Sequence, residues 1–187
     1  MVILEKYYNQ VIKIDFINKY SYMNFNHVPK FKKIILNFGC KNSNLFDISS
    51  SLLFLELIAK KKGNVTRAKR SNILLKIRKG NLVGCTVILT KNEMYNFLFK
   101  LSANIFPNSK DFENGIRIVS KKKLLKKGFS FTIKDFICFK ELEKQFYLFS
   151  KLPPLNITLL LNTNTKWELL YLLQSFKLPI YYFLKQL

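Results

Sequence analysis

The sequence predicts an α+β fold, a mainly antiparallel sheet with helices packed on one of its faces. Three observations lead there. Stretches with apolar residues three and four apart alternate with short β-rich runs, so helices and strands are interspersed. The strands are few and mixed, unlike those of a doubly wound parallel sheet, and one alternates apolar with polar residues as a half-covered strand does. Neither a GxGxxG following a strand nor a phosphate loop occurs, and there is no internal repeat.

The elements follow in order. Residues 3–19 place Leu4, Tyr7, Tyr8, Val11, Ile12 and Ile14 near helical spacing and predict an amphipathic helix. Asn24 to Pro29 is a loop in which His27 packs or caps a turn. KFKKIILNF, residues 30–38, is β-rich and ends at Gly39, a strand. Asp47 caps a helix running to about Ala59, with Leu52, Leu55, Ile58 and Ala59 inward. Residues 64–81, NVTRAKRSNILLKIRKGN, predict two short strands around a turn at Lys79-Gly80-Asn81, and Leu82 to Leu89 a further strand. Thr90 with Glu93 predicts a capping box opening a helix buried along Met94, Phe97, Leu98, Leu101 and Ile105, which Pro107 ends. Residues 108–127 read as an exposed loop that includes KKKLLKK at 121–127. Phe129, Phe131 and Ile133 alternate with Ser130, Thr132 and Lys134, a half-buried strand. Glu141 to Ser150 is a short helix and Asn156 to Asn162 a strand. Thr165 and Glu168 repeat the capping box before Leu169, Leu172, Leu173 and Phe176, and Pro179 stops that helix.

At 187 residues, nearly half of them hydrophobic, the chain is long enough to bury a core. Its formal net charge is +21, from 32 Lys/Arg against 11 Asp/Glu. That excess repels itself in the compact state and marks a polyanionic partner, with nucleic acid favoured over an anionic membrane or an acidic protein. Between Leu57 and Asn92 there are ten Lys/Arg and no carboxylate. Three clusters are candidate RNA-binding residues: Lys30, Lys32 and Lys33 with Asn37; Thr66, Arg67, Lys69, Arg70 and Ser71; and Lys76, Arg78 and Lys79 beside Gly80. Cations neutralise phosphates and release counterions, hydroxyls donate to phosphate oxygens, and glycine permits close backbone approach. Of the cations 28 are Lys and only Arg67, Arg70, Arg78 and Arg117 are Arg. This Lys-, Asn-, Ile- and Phe-rich usage fits A+T-rich codons, as in organelle genomes.

Other chemistries find little support. With a single histidine, His27, followed by Val28-Pro29, a Ser–His–Asp arrangement is not a plausible reading, no carboxylates pair by spacing, and no enzyme is expected. Cys40, Cys85 and Cys138 are far apart and without a CxxC, so they read as buried small apolar residues, with no metal and no cofactor. No apolar run reaches the roughly 18 residues of a membrane span, and the two leucines of KKKLLKK are too few for a surface anchor. MVILEKYYNQ follows neither a signal-peptide nor a transit-peptide plan, so an organellar protein of this sequence is made in the organelle or is a mature form.

The motifs, taken together and in order, resemble the bacterial and organellar family of large-subunit ribosomal protein L5. Leu4-Glu5-Lys6-Tyr7-Tyr8 resembles its opening helix, and Val28-Pro29-Lys30 with Lys33 to Gly39 its "VPKxxKIxLNxG". The likeness is tightest at Thr66-Arg67-Ala68-Lys69-Arg70-Ser71, Lys76-Ile77-Arg78-Lys79-Gly80 and Val83-Gly84-Cys85-Thr86-Val87. Met94 to Leu98, Pro107 with Asp111-Phe112, Asn156 to Thr158 and Phe176 to Pro179 continue it to about residue 180. The chain departs from the pattern at Leu74-Leu75, where the family has Gly-Phe, and at KKKLLKKG, where it has "FDGRGNY"; the family's "DEE" is reduced to Glu168. These departures are more like mitochondrial than plastid versions. The resemblance implies a single RNA-binding domain over residues 1–180 with a C-terminal extension over 181–187. It implies a structural protein of the large subunit, in the central protuberance, bound to 5S rRNA and large-subunit rRNA. It implies a loop, here Lys76 to Gly80, near P-site tRNA, and contact with neighbouring ribosomal proteins, including one of the small-subunit head. The expected compartment is the mitochondrion, with the plastid as alternative. The runner-up is a non-ribosomal basic RNA-binding module or RNA chaperone.

Overall fold

The computed structural model describes residues 3–40, 44–109, 112, 116–118, 124–125, 128–149 and 152–182. Eight strands occur among them: β1 (Phe31–Gly39), β2 (Asn64–Arg67), β3 (Leu82–Leu89), β4 (Ile116–Ile118), β5 (Leu124–Leu125), β6 (Gly128–Ile133), β7 (Leu155–Leu161) and β8 (Ile180–Tyr182). Six form a sheet in the order β2-β3-β1-β7-β6-β5, and β4 pairs in parallel with β8. The fold is α+β, as the sequence predicts. The chain gathers into two compact units, one of Met1–Ile34, Thr90–Ser130 and Thr158–Leu187, the other of Ile35–Leu89 and Phe131–Ile157.

In the first unit a helix, α1, covers residues 3–19, with a π-helical turn at Tyr8–Ile12 between α-helical Ile3–Tyr7 and Lys13–Lys19. Tyr8, Ile12 and Phe16 are buried, whereas Tyr7, Val11 and Ile14, expected inward, are exposed. The wider turn aligns every fourth residue there and rotates the others outward. Tyr8 donates its hydroxyl to the Pro29 carbonyl at 2.9 Å and stacks on Phe176 at 6.4 Å. Phe31 meets the same Phe176 edge-on at 5.1 Å.

Helix α3 covers residues 91–108, again with a π turn, at Leu101–Ile105, and buries the expected stripe of Met94, Phe97, Leu98, Leu101 and Ile105. Its expected capping box is not formed: Thr90 is the N-cap residue, but its side chain makes no capping hydrogen bond. The reason is local, because Lys91, the first helical residue, has φ of 50° and turns the chain out of the path that aims Thr90 at the helix. Helix α4 (Lys166–Ser175) does form its box. Thr165 Oγ1 accepts from the Glu168 N–H at 3.2 Å, and Glu168 Oε2 accepts from the N–H of Thr165 at 3.3 Å and of Asn164 at 2.9 Å. The stretch expected as a loop, 108–127, contains β4 and β5, and β5 pairs antiparallel with Gly128 and Phe129. Of KKKLLKK only Leu124 and Leu125 are among the described residues, as backbone.

In the second unit α2 (Leu45–Ala59) packs on β3. Its N-cap residue is Asn44, three residues before the expected Asp47, and it ends at Lys60 in the left-handed conformation. Ile48, Ser51, Phe54, Leu55 and Ile58 face the core; Leu52 and Ala59, expected inward, are half-buried. Phe54 is the hub, meeting Phe38 at 5.2 Å, Phe136 at 4.8 Å, Phe139 at 5.6 Å and Phe149 at 5.4 Å, all edge-to-face. That arrangement sets ring edges against ring faces and adds to area burial. Lys140–Phe149, expected as a helix, is a 3-10 stretch broken at Gln145. Cys40, Cys85 and Cys138 are buried free thiols. Ser51 Oγ lies 3.8 Å from Cys40 and 3.5 Å from Cys85, and burial pushes both thiols up.

Candidate nucleic-acid interface

The second unit carries an open sheet face beside a basic arm. Burial alternates along its strands. Phe38 and Leu36 of β1, Cys85, Val87 and Leu89 of β3, Phe131 and Ile133 of β6, and Leu155 and Ile157 of β7 are buried. Because strand side chains alternate, the opposite face carries Asn37, Thr86, Thr132 and Asn156. On β2, Asn64 pairs with Thr86 and Thr66 with Gly84, which adds those two side chains to the same face. The result is a surface rich in the donors and acceptors of Asn and Thr, with half-buried Ile35 and exposed Ile88 between them. Gly84 is required within it, because a Cβ there would collide with the Phe38 carbonyl. Asn37 and Thr66 are among the residues that the sequence suggests as candidates; Asn64, Thr86, Thr132 and Asn156 join them on one face only through the fold. Alternation along Leu82–Leu89 is the signal that reveals Thr86, and only the pairing aligns the strands.

β2 and β3 form a hairpin whose register shifts between Thr66 and Arg67, so that Arg67 faces Leu82 and Val83 is skipped. Such an irregularity bends and twists the ribbon. Beyond it residues 68–81 make an arm, in place of the expected pair of strands around Lys79-Gly80-Asn81. Its base is closed by Ala68 N–H to the Asn81 carbonyl at 2.8 Å and Gly80 N–H to the Ala68 carbonyl at 2.9 Å. Further out, Asn72 and Ile77 exchange both backbone bonds, at 2.8 and 3.0 Å. The reversal at the end is Ile73-Leu74-Leu75-Lys76, with Lys76 N–H on the Ile73 carbonyl at 3.1 Å and Lys76 at φ of 52°. Gly80 thus sits at the base of the arm, where its φ of 90° suits glycine, and not at the tip.

The arm gathers most of the predicted cations. Arg67, Lys69, Arg70, Lys76, Arg78 and Lys79 are all exposed, as is Ser71, while Thr66 is half-buried on the open face. The other cluster is not brought together. Lys30 and Lys32 are exposed and Lys33 is half-buried; Lys32 and Lys33, being consecutive in β1, point to opposite faces. Lys30 uses its carbonyl to accept from the Asn162 N–H at 2.9 Å. Among the described residues no group of three His, Cys, Asp or Glu is placed to hold a metal, and no helix is long and apolar enough to cross a membrane.

Comparison with known proteins matches residues 82–180 to the C-terminus of the ribosomal L5 protein family. The chain is similar to the large ribosomal subunit protein uL5m of Reclinomonas americana, 38% identical over 179 residues, which covers 95% of this chain and 97% of that protein. It is also similar to the large ribosomal subunit protein uL5 of Clostridium botulinum (strain Eklund 17B / Type B), 35% identical over 94% of this chain and 96% of the relative. The uL5 protein of Syntrophus aciditrophicus is 32% identical over 96% of this chain and 98% of the relative.

Proposed function

Because the chain belongs to the uL5 family of large-subunit ribosomal proteins, we propose that its open sheet face and basic arm hold rRNA in the central protuberance, and that the arm approaches P-site tRNA. The protein is a structural, non-enzymatic constituent of the large ribosomal subunit, and its ribosome is that of the mitochondrion. The observation that carries the finer reading is the arm itself: six exposed cations in a stretch without a carboxylate, beside a sheet face rich in Asn and Thr. Cations bind the phosphate backbone through counterion release. Neutral amides and hydroxyls suit the 2′-hydroxyls and base edges of a shallow RNA minor groove. In this reading 5S rRNA and a large-subunit rRNA helix are the ligands of Asn37, Thr66, Arg67, Lys69, Arg70 and Ser71. Lys30, Lys32 and Lys33 make separate phosphate contacts, and a small-subunit head protein is a further neighbour.

The test uses the arm's outer cations. The triple variant Lys76→Ala, Arg78→Ala and Lys79→Ala should sediment with large subunits at moderate salt and weaken retention of P-site tRNA. Loss of the variant from purified subunits would assign these cations to rRNA anchoring and refute the tRNA reading. Leu74 and Leu75, which replace the family's Gly-Phe, have not folded the loop inward, since they are 94% and 52% exposed.

A further inference from the structure

The tip of the arm is apolar, although the stretch around it is rich in cations. Ile73 is 91% exposed, Leu74 94% and Leu75 52%. Two aliphatic side chains held almost wholly in water gain nothing within this chain. The arm nevertheless fixes them, through the paired backbone bonds of Asn72 and Ile77, the Ile73–Lys76 reversal and the Leu75 N–H donated to Asn72 Oδ1 at 3.3 Å. Cations flank the tip on both sides: Lys69 and Arg70 before it, Lys76, Arg78 and Lys79 after it.

We propose that Ile73 and Leu74 form an aliphatic wedge that packs on an exposed base face of a folded RNA, while the flanking cations take its phosphates. Charge complementarity selects this occupant. An apolar protein patch would find five cations and no carboxylate around it, whereas a nucleic-acid loop presents flat apolar base faces and phosphates within one short reach. Leu and Ile are among the side chains that proteins set against base steps as wedges, and RNA loops and bulges offer unstacked bases to such contacts. The inference rests on the reading that the arm lies against RNA, and adds a separate, uncharged component to that contact. Phosphate contacts weaken steeply with salt; burial of Ile and Leu on a base does not.

The experiment uses the full-length chain, an unmodified tRNA transcript as folded RNA, and inorganic polyphosphate as a polyanion without bases. In the double variant Ile73→Ser and Leu74→Ser, affinity for the transcript should fall about tenfold. The fall should be the same at every salt concentration, and affinity for polyphosphate should be unchanged. Unchanged affinity for the transcript, or an equal loss on polyphosphate, overturns the wedge. So does binding to vesicles of anionic phospholipid that depends on Ile73 and Leu74 while transcript binding does not. A second variant, Leu74→Trp in a Trp167→Phe background, should have its emission quenched by the transcript and not by polyphosphate; no quenching at saturating transcript overturns the wedge. Failure of the underlying RNA reading is distinguishable, because replacing Arg67, Lys69 and Arg70 by Ala would then leave the salt dependence of transcript binding unaltered.

Discussion

Replacing Arg67, Lys69 and Arg70 together by Ala should change how RNA binding responds to salt more than it changes the protein. All three are exposed, and no carboxylate lies between Leu57 and Asn92 to pair with them. The bonds that close the base of the arm are made by the backbone of Ala68, Gly80 and Asn81. Folding stability should therefore stay within about 0.5 kcal/mol, the usual range for surface substitutions. Each lost phosphate contact lowers the log–log slope of affinity against salt by about 0.7 on a single strand to 0.9 on a duplex, so three contacts remove roughly 2 to 3. Between 50 and 200 mM salt, the wild-type chain should then lose about twenty- to fortyfold more affinity than the variant. Filter binding to an rRNA fragment across that range, with circular dichroism to check the fold, measures both quantities. Parallel lines for a folded variant would show that these cations are solvated surface and refute the assignment.

Three further outcomes are expected. Thr165→Ala should cost about 1 kcal/mol by removing a formed N-cap, whereas Thr90→Ala, which removes no capping bond, should be close to neutral; equal losses in urea denaturation would contradict the difference. Phe54→Ala should destabilise by about 3–5 kcal/mol, because it empties a fully buried site and removes four edge-to-face partners; a loss under about 1 kcal/mol in chemical denaturation would mean that the second unit does not depend on this cluster. The Tyr95 phenol is pushed up to about 12 by burial, with nearby Glu5 adding to it. An unfolded tyrosine ionises near 10, so the unfolded chain releases a proton that the folded chain holds. That stability is complete below about pH 10 and is lost as pH rises toward 12. Urea midpoints should fall over that window, less so in Tyr95→Phe, and an identical fall in the variant would remove Tyr95 as a cause.

Much of this protein follows from residues near one another in the chain. Strand β1 is written in the run from Phe31 to Gly39, and the buried stripe of α3 in the spacing of Met94, Phe97, Leu98, Leu101 and Ile105. The charge of the arm is written in the stretch without carboxylates. The collinear motifs from Leu4 to Pro179 are enough by themselves to point to the family.

Tertiary structure decided the rest. Thr90-Lys91-Asn92-Glu93 and Thr165-Lys166-Trp167-Glu168 are the same motif on paper, yet only the second forms a box. The difference is the backbone of one lysine: Lys91 is at φ of 50°, whereas the turn after Thr165 is regular enough to close both bonds. The open face was equally hidden. Asn37, Asn64, Thr86, Thr132 and Asn156 come from β1, β2, β3, β6 and β7, and only pairing and the burial of their neighbours set them on one side. At the arm, Lys79-Gly80-Asn81 carries the local signal for a turn, but the backbone bonds from Ala68 to Gly80 and Asn81 place it at the base and leave Ile73 and Leu74 at the tip. Local sequence settles periodicity, charge and the options open to each backbone step. Which option is taken, and which side chains share a surface, depends on hydrogen bonds and packing between segments distant in the chain.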